Sequence, residues 1–453
     1  MISYLKSKVQ GFWNGGHERT LKIKRNIIYT LLIKGAGVLI GFILIPMTIG
    51  YVTKGQYGIW LTIASLVMWM NTFDIGLSNG LRNKMAHSLA LGERDNIVKY
   101  ISTTYAILFL ISVTIFLAFF LVGSFFDWNQ MLNVKDTVSY NIWPIVLIAI
   151  GSFCVQFFLQ PINSVLMAAH QPFKSSLILL LGQVLTFVII LLLTMFTHGS
   201  LFFLVFAVAG SPLVVFLFAN IYLYSTEFKL YAPKFSFIDF GSARSLLSTG
   251  GVFFFIQMGA VVLYQTDNIL ITRTLGPDEV TTFNVAYKYF SLISVIFSII
   301  MTPYWSAFTD AAAKNDWGWI KHSLKKMRMI WVYVGVLTTI LYLFSSIFYQ
   351  LWLHGKVDVP NFLSLNMAIF VLTVAWQSIY AYTLNGIGKL RIQLIFVVGT
   401  AILNIPLSIV LIHWIGVSGS VIANTVMVLL MNVIFTYQVN LIVKQKAAGV
   451  WNK

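Results

Sequence analysis

Residues 71–86 read NTFDIGLSNGLRNKMA and follow directly on an apolar run, YGIWLTIASLVMWM, at 57–70. Asp74 stands at the end of that run, and Arg82 and Lys84 lie just past it, in a chain where only 10% of residues are charged. In water such a placement is ordinary. In lipid it means that a span is ending, or that a side chain faces something other than lipid.

Composition decides for lipid. Of 453 residues 58% are hydrophobic, and mean hydropathy is +0.84; a soluble domain carries about 25% charged residues. Twelve apolar runs of bilayer-crossing length recur, at about 27–49, 57–79, 101–124, 142–166, 176–197, 201–224, 249–274, 282–306, 329–350, 362–385, 392–412 and 417–442. Lipid offers the backbone no hydrogen-bond partner, so these runs must be helices. The fold class is therefore an all-α multi-pass membrane protein with twelve transmembrane helices. A single cysteine, Cys154, excludes an intramolecular disulfide framework and any Cys-rich metal site. The net charge of +16 does not imply nucleic acid, because the basic residues are dispersed between apolar spans. The first run is too long for a cleavable signal and lacks a small-x-small exit, so it reads as a retained helix with a basic flank.

The positive-inside bias orients the chain. With the N-terminus in the cytoplasm, 24 of the 30 Lys and Arg residues fall in cytoplasmic segments. Lys54, Lys135, Arg273 and Lys356 fall outside, and Lys34 and Lys288 fall within spans. Both ends are thus expected inside. Arg82 and Lys84 are anchors at the cytoplasmic end of the second span. The longest connections, near 80–100, 225–248 and 307–328, are all cytoplasmic, and no segment is long enough for a soluble catalytic domain.

An internal repeat divides the chain. IPMTIGYVTKGQYGIW (45–60) aligns without gaps to ITRTLGPDEVTTFNVA (271–286): Ile45 with Ile271, Thr48 with Thr274, Gly50 with Gly276, and aromatic Tyr57 with Phe283. A weaker echo pairs LMAAHQPFK (166–174) with LNGIGKLR (384–391). Six spans per half give both halves one orientation, so a pseudo-two-fold axis along the membrane normal is expected, with a substrate site between the halves and alternating access. The organisation read from this is a basic tail at 1–26, a six-helix bundle at 27–224, a cytoplasmic linker at 225–248, a second bundle at 249–442 and a tail at 443–453.

Four ionisable side chains sit within spans: Lys34, Asp74, Asp267 and Lys288. Each costs on the order of 2.5–3.5 kcal/mol at a span centre. Lys34 shares a helix face with Gly37 and Gly41, a small-residue packing stripe. Asp74 lies on the stripe Asn71–Asp74–Ser78–Arg82, where capping or pairing near the cytoplasmic loop is the structural alternative. Asp267 lies on Gln257–Ala260–Tyr264–Asp267, and Lys288 on Thr281–Asn284–Lys288–Ser291. The fourth span adds Gln156–Gln160–Asn163–Met167–His170. These stripes suit a wet cavity or helix–helix hydrogen bonds. Spans 5, 6, 11 and 12 read as plain. Lys34, Lys288, Arg82 and Arg273 would make a cavity cationic and fit for an anionic head group, with Asn163, Gln160, Tyr264 and Asn284 as its polar lining. Asp74 and Asp267 are the ion-coupling candidates. No P-loop, clustered histidine ligands or Ser-centred hydrolase elbow is present, so no catalytic residue, metal or cofactor is assigned.

Two stretches carry a family resemblance. FDIGLSNGLRNKMAHSLALGERDNIVKYISTTY (73–105) resembles the second-to-third span region of bacterial polysaccharide flippases of the O-antigen transporter type, within the multidrug/oligosaccharidyl-lipid/polysaccharide exporter superfamily. FFFIQMGAVVLYQTDNILITRTLGPDEVTTFNVAYKY (253–289) resembles their seventh-to-eighth span region, and the likeness runs from about residue 20 to 440. The resemblance implies an inner-membrane, V-shaped, two-bundle transporter, and not an enzyme. Its substrate would be an undecaprenyl-diphosphate-linked oligosaccharide repeat unit moved from the cytoplasmic to the periplasmic leaflet. Its partners would be membrane lipids, a polysaccharide polymerase and chain-length machinery, with no nucleic acid. Outward movement of each negative charge across an inside-negative membrane gains about 2.3 kcal/mol per 100 mV. The alternatives are a multidrug or metabolite exporter of the same superfamily, a membrane polymerase or ligase, and a scaffold in glycan assembly.

Overall fold

The computed structural model describes residues 18–70, 74, 76–133, 142–169, 171–243 and 251–452. Asn71, Lys135, His170, residues 1–17 of the basic tail and 244–248 of the linker lie outside them, as do the side chains of Gln257 and Ala260. The described chain is helical. Its long elements are α1 (Glu18–Tyr51), α2 (Lys54–Met70), α3 (Leu77–Leu91), α4 (Arg94–Gly123), α5 (Trp143–Leu159), α6 (Pro161–Ala168), α7 (Pro172–Phe196) and α8 (Leu201–Ser225). After three short 3-10 turns follow α9 (Gly251–Leu275), α10 (Pro277–Ala313), α11 (Trp317–Leu353), α12 (Asn361–Ile387), α13 (Arg391–Ile415) and α14 (Ser418–Val443).

Ten described segments are long and apolar enough to cross a membrane. α2, with 17 described residues, is shorter than those segments, and α9 carries Gln265, Asp267 and Arg273 along its length. Large apolar side chains lie bare along the helices, with Leu117 at 50%, Phe206 at 60% and Leu343 at 68% exposure. Lipid is the solvent that accepts such surfaces. One expected span is broken. The run 57–79 is two helices, α2 ending at Met70 and α3 starting at Leu77 after Gly76, whose φ of 82° suits only glycine without strain. The run 142–166 remains one span, Trp143–Ala168, interrupted only in its hydrogen-bond ladder at Gln160–Pro161, where proline, lacking an N–H, takes the first position of α6 and Gln160 keeps helical backbone angles.

The helices group into two compact units. The first holds α1 and α3–α8. Its core is Leu81, Met85, Ile97, Ile101, Ile162 and Val165 with their neighbours. α1 packs on α7 at Gly37, where an added Cβ would meet the Gln183 Oε1 at 2.8 Å. That is the small-residue face expected beside Lys34. Tyr105 donates its hydroxyl to Asn220 Oδ1 at 2.5 Å, and Asn220 Nδ2 donates to the Leu159 carbonyl at 3.0 Å, tying α4, α8 and α5 together.

The segment after α8 folds back on α4. Lys99 Nζ pairs with Asp239 at 2.6 Å, the Asp239 N–H donates to Thr103 Oγ1 at 3.0 Å, and the Lys234 N–H donates to Ser102 Oγ at 2.9 Å. The Lys99 ammonium, with the Ser242 hydroxyl and Gly241 N–H, holds the Asp239 carboxyl down to about 2. Since the folded carboxyl titrates below its unfolded value of about 4, this anchor acts fully above that pH and is lost as pH falls toward the folded value. A nitroxide on Phe240→Cys, in a Cys154→Ala background, should gain mobility across that acid window. In Asp239→Asn it should be mobile already at neutral pH. Identical spectra in the two proteins would remove the anchor from the account.

The second unit holds α2 and α9–α14, with a single helical turn at Trp128–Met131. Sequence placed the boundary between halves in the linker; by packing, α2 groups with the later helices. It rests on α10 at Gly58, where an added Cβ would lie 1.7 Å from the Pro277 carbonyl oxygen. Around that contact Thr62 and Thr272 share a hydroxyl hydrogen bond of 2.5 Å, and Thr281 Oγ1 donates to the Lys54 carbonyl at 2.7 Å. The repeat partners behave alike: Thr48 and Thr274 each return their hydroxyl to the carbonyl one turn back, at 2.6 and 2.7 Å.

Candidate functional site

A densely polar buried site lies in the second unit, around Asp267 on α9. Asp267 is 1% exposed. Its Oδ1 accepts from the Ser420 hydroxyl, and its Oδ2 accepts from Asn424 Nδ2 at 2.5 Å, both partners lying on α14. Asn424 Oδ1 in turn accepts from Asn404 Nδ2 on α13 at 2.9 Å, and the Ser408 hydroxyl lies 3.5 Å from Asn404 Oδ1. Every partner is neutral. The ion pairs among the described residues, Lys99–Asp239 and Lys174–Glu227, are elsewhere. An ionised carboxylate at this depth lacks the counter-charge that would offset its desolvation. The site therefore fits a carboxyl that holds a proton, or one that holds a small cation through oxygen ligands.

A second strand of hydrogen bonds runs beside it. Asn284 Nδ2 on α10 donates to Asn268 Oδ1 at 2.7 Å, and Asn268 Nδ2 donates to Ser65 Oγ on α2 at 2.6 Å. Between the two strands opens a cavity of about 50 Å³, lined by Tyr264, Asp267, Asn268, Asn284, Tyr287 and Asn424 among others. That volume admits a few waters or an ion and is far too small for a sugar.

The structure thus brings together three of the residues selected from sequence, Tyr264, Asp267 and Asn284. It adds Ser420, Asn424, Asn404, Ser408 and Ser65, which sequence reading passed over, and Asn268, which follows Asp267 directly. The spans read as plain, 11 and 12, supply four of them. A signal was present: Asn404–Ser408 and Ser420–Asn424 are both spaced by one helical turn.

The other candidates are placed apart from this cavity. Lys288 is half-buried on α10, one turn past Asn284. Arg273 is exposed in the last turn of α9. In the first unit Lys34 is exposed on α1 and Arg82 on α3. Gln160 sits at the α5–α6 break, and Asn163 Oδ1 accepts from Ser175 Oγ at 2.9 Å. Asp74 serves the start of α3. Its carboxylate accepts from the Ser78 N–H at 3.2 and 3.3 Å and from the Ser78 hydroxyl at 3.0 Å. A carboxylate on the free N–H groups of a helix start is favourable by about 0.3–1 kcal/mol, so local structure alone accounts for Asp74.

Comparison with known proteins follows the same direction. The chain is 23% identical over 377 residues, 80% of its length and 82% of the relative's, to a Yersinia pseudotuberculosis protein named for O-antigen export. It is 20% identical over 345 residues, 74% of its length and 77% of the relative's, to a Salmonella typhi protein named as an O-antigen transporter. Among solved structures, an inward-facing multidrug resistance MATE family transporter of the MOP superfamily matches with a TM-score of 0.74 at 14% identity, covering 93% of this chain and all (100%) of the other. A Vibrio cholerae MATE transporter matches with a TM-score of 0.63 at 12% identity, covering 95% of this chain and 100% of the other. These structures share the fold. The profile described as "Polysaccharide biosynthesis protein" matches residues 23–308, well over half of the chain, and the chain belongs to that family of multi-pass membrane proteins.

Proposed function

We propose that this protein exports polysaccharide precursors: it carries an undecaprenyl-diphosphate-linked oligosaccharide repeat unit from the cytoplasmic to the periplasmic leaflet of the inner membrane, as a transporter and not as an enzyme. The observation that carries this reading is the alignment with O-antigen export relatives along four-fifths of the chain. The chain would cross the membrane twelve times with both ends in the cytoplasm and work by alternating access. The diphosphate would be met by cations, with Lys288 the candidate in the second unit and Lys34 in the first. Asp267, buried among neutral donors, is the candidate for coupling to a proton or alkali cation, and membrane potential supplies a further driving force for an anion.

The deciding experiment is on a deletion strain, whose lipid-linked oligosaccharides are extracted, weighed by mass spectrometry and assigned to a leaflet. Complete repeat units held on the inner leaflet are expected, and their sugars would name the substrate. Unaltered lipid-linked sugars would favour a drug exporter. Truncated or surface-exposed unpolymerised units would favour an enzyme. Complementing that strain with Lys288→Ala is expected to restore at most about a tenth of the parental export, the cost of one charge-assisted contact of about 1.5–3 kcal/mol, while Lys288→Arg retains most of it. Full export by Lys288→Ala would take Lys288 out of the substrate path.

A further inference from the structure

The segment between α8 and α9 has a surface that does not suit a loop in water. Leu230 is 58% exposed, Phe235 94% and Phe240 56%. These residues do not dangle. Arg94 Nε donates to the Leu230 carbonyl at 3.2 Å, and the Lys234 and Asp239 N–H groups bond to Ser102 and Thr103 of α4. The backbone is fastened to α4, and its large apolar side chains stay open to the surroundings.

Charge completes the pattern. The acids of the segment are neutralised by cations of the helices, Glu227 by Lys174 and Asp239 by Lys99. Its two lysines are exposed, and each directly precedes an exposed apolar residue: Lys229 before Leu230, and Lys234 before Phe235. Neither belongs to an ion pair among the described residues; Lys234 Nζ lies 5.9 Å above the Phe237 ring. Beneath Lys234 the segment and α4 enclose a groove of about 410 Å³, on the scale of one acyl chain, walled by Tyr105, Phe109, Leu110, Phe158, Ile238 and Phe240. Ser102 and Lys234 stand at its polar end. From Ser102 to Leu110 the groove follows α4 for about 12 Å, at 1.5 Å per residue, from a polar level into a wholly apolar one.

We infer that this segment lies in the head-group interface of the bilayer, with Phe235 inserted, and that its groove against α4 seats an acyl chain of an anionic phospholipid whose phosphate is held by Lys234 and Lys229. A phospholipid matches the order of chemistry along the groove, cations outside and hydrocarbon inside. An exposed phenylalanine beside a lysine is the pairing by which interfacial segments bind such a surface. Each lysine near an anionic surface contributes about a five-fold preference. The inference uses none of the cargo candidates Lys34, Lys288 and Asp267: its contacts run between the segment and its neighbours in the first unit.

The test uses the full chain, with Cys154→Ala, reconstituted in phosphatidylcholine vesicles with and without phosphatidylglycerol. Nitroxides are placed at Phe235→Cys, at Asp95→Cys as a reference in water and at Leu117→Cys as a reference in lipid. The label at 235 is expected to collide with oxygen more than with a water-soluble nickel reagent, as at 117. Spin-labelled phosphatidylglycerol should be restricted by the protein more than spin-labelled phosphatidylcholine. Lys229→Gln with Lys234→Gln should reduce that preference by an order of magnitude, with the label at 117 unchanged as a check on folding. A label at 235 that behaves like the one at 95 would overturn the inference and make the patch a surface for a soluble partner. Equal restriction of the two lipids, or a preference unchanged by the double variant, would overturn the phosphate contact. Displacement of phosphatidylglycerol by an isoprenyl phosphate would reassign the groove to the cargo's tail.

Discussion

Asp267→Leu is expected to be scarcely recoverable as folded protein, while Asp267→Asn folds and fails to transport. The leucine leaves the Ser420 hydroxyl and Asn424 Nδ2 buried without acceptors, at about 1–3 kcal/mol each. Asparagine is different because the network can turn over. Its NH2 would face Asn424 Nδ2, so the Asn424 amide rotates to present its oxygen. Asn404 rotates in response, and its NH2 then meets the Ser408 oxygen, which accepts as readily as it donates. Every hydrogen bond survives, and only the charge is gone. Thermal unfolding of purified Asp267→Asn should match the parent to within about 1 kcal/mol, while uptake by vesicles loses its response to a proton or sodium gradient. A variant that unfolds like the leucine would show that the carboxylate is structural. One that keeps its gradient response would move coupling elsewhere.

Gly58→Leu is expected to be the most damaging single change on α2. The atom that a Cβ would strike, at 1.7 Å, is the Pro277 carbonyl oxygen. This is backbone at the start of α10, so no side chain can swing away. α2 would have to lift, and with it would go the Thr62–Thr272 hydroxyl pair, the Asn268–Ser65 bond and the Thr281–Lys54 bond. Overpacking costs about 1–3 kcal/mol where side chains can adjust, and here three buried hydrogen bonds, at about 1 kcal/mol each, are lost as well. Gly58→Ala should already lower the melting temperature of the purified protein. A wild-type melting temperature in Gly58→Leu would mean that α2 and α10 are not held by this contact.

The fold class was legible because lipid imposes a harsh rule: long apolar runs must be helical, and lysines collect on one side. Where the chain breaks that rule locally, the reading blurred. The run 57–79 reads as one span, yet the Asp74–Gly76–Ser78 sequence already holds an acceptor, a residue free to take positive φ and the N–H to be capped. The site was half legible. Asp267 declared itself by its charge, since one carboxyl on an apolar stripe is costly. Asn404, Ser408, Ser420 and Asn424 did not. A neutral polar residue in a span costs little alone, and their meaning depends on which helix they face. The segment after α8 was read for its charge alone, for a related reason. Lys229 and Lys234 counted toward orientation, and the apolar neighbour that follows each lysine has meaning only once the backbone is fastened to α4.

The Asp267 network also constrains how the chain is made. Ser420 and Asn424 lie 153 and 157 residues downstream of the carboxyl they bond. During synthesis α9 emerges long before α14 exists. The hydroxyls of Thr48 and Thr274 need no such wait, since each is satisfied within its own helix. α9 reaches the insertion machinery with its most polar buried side chain, Asp267, still unmatched. The matching of Asp267 is therefore completed only with the last helix. A released chain truncated before residue 418 should leave a cysteine at position 267 open to small aqueous reagents, and the full chain should leave it protected.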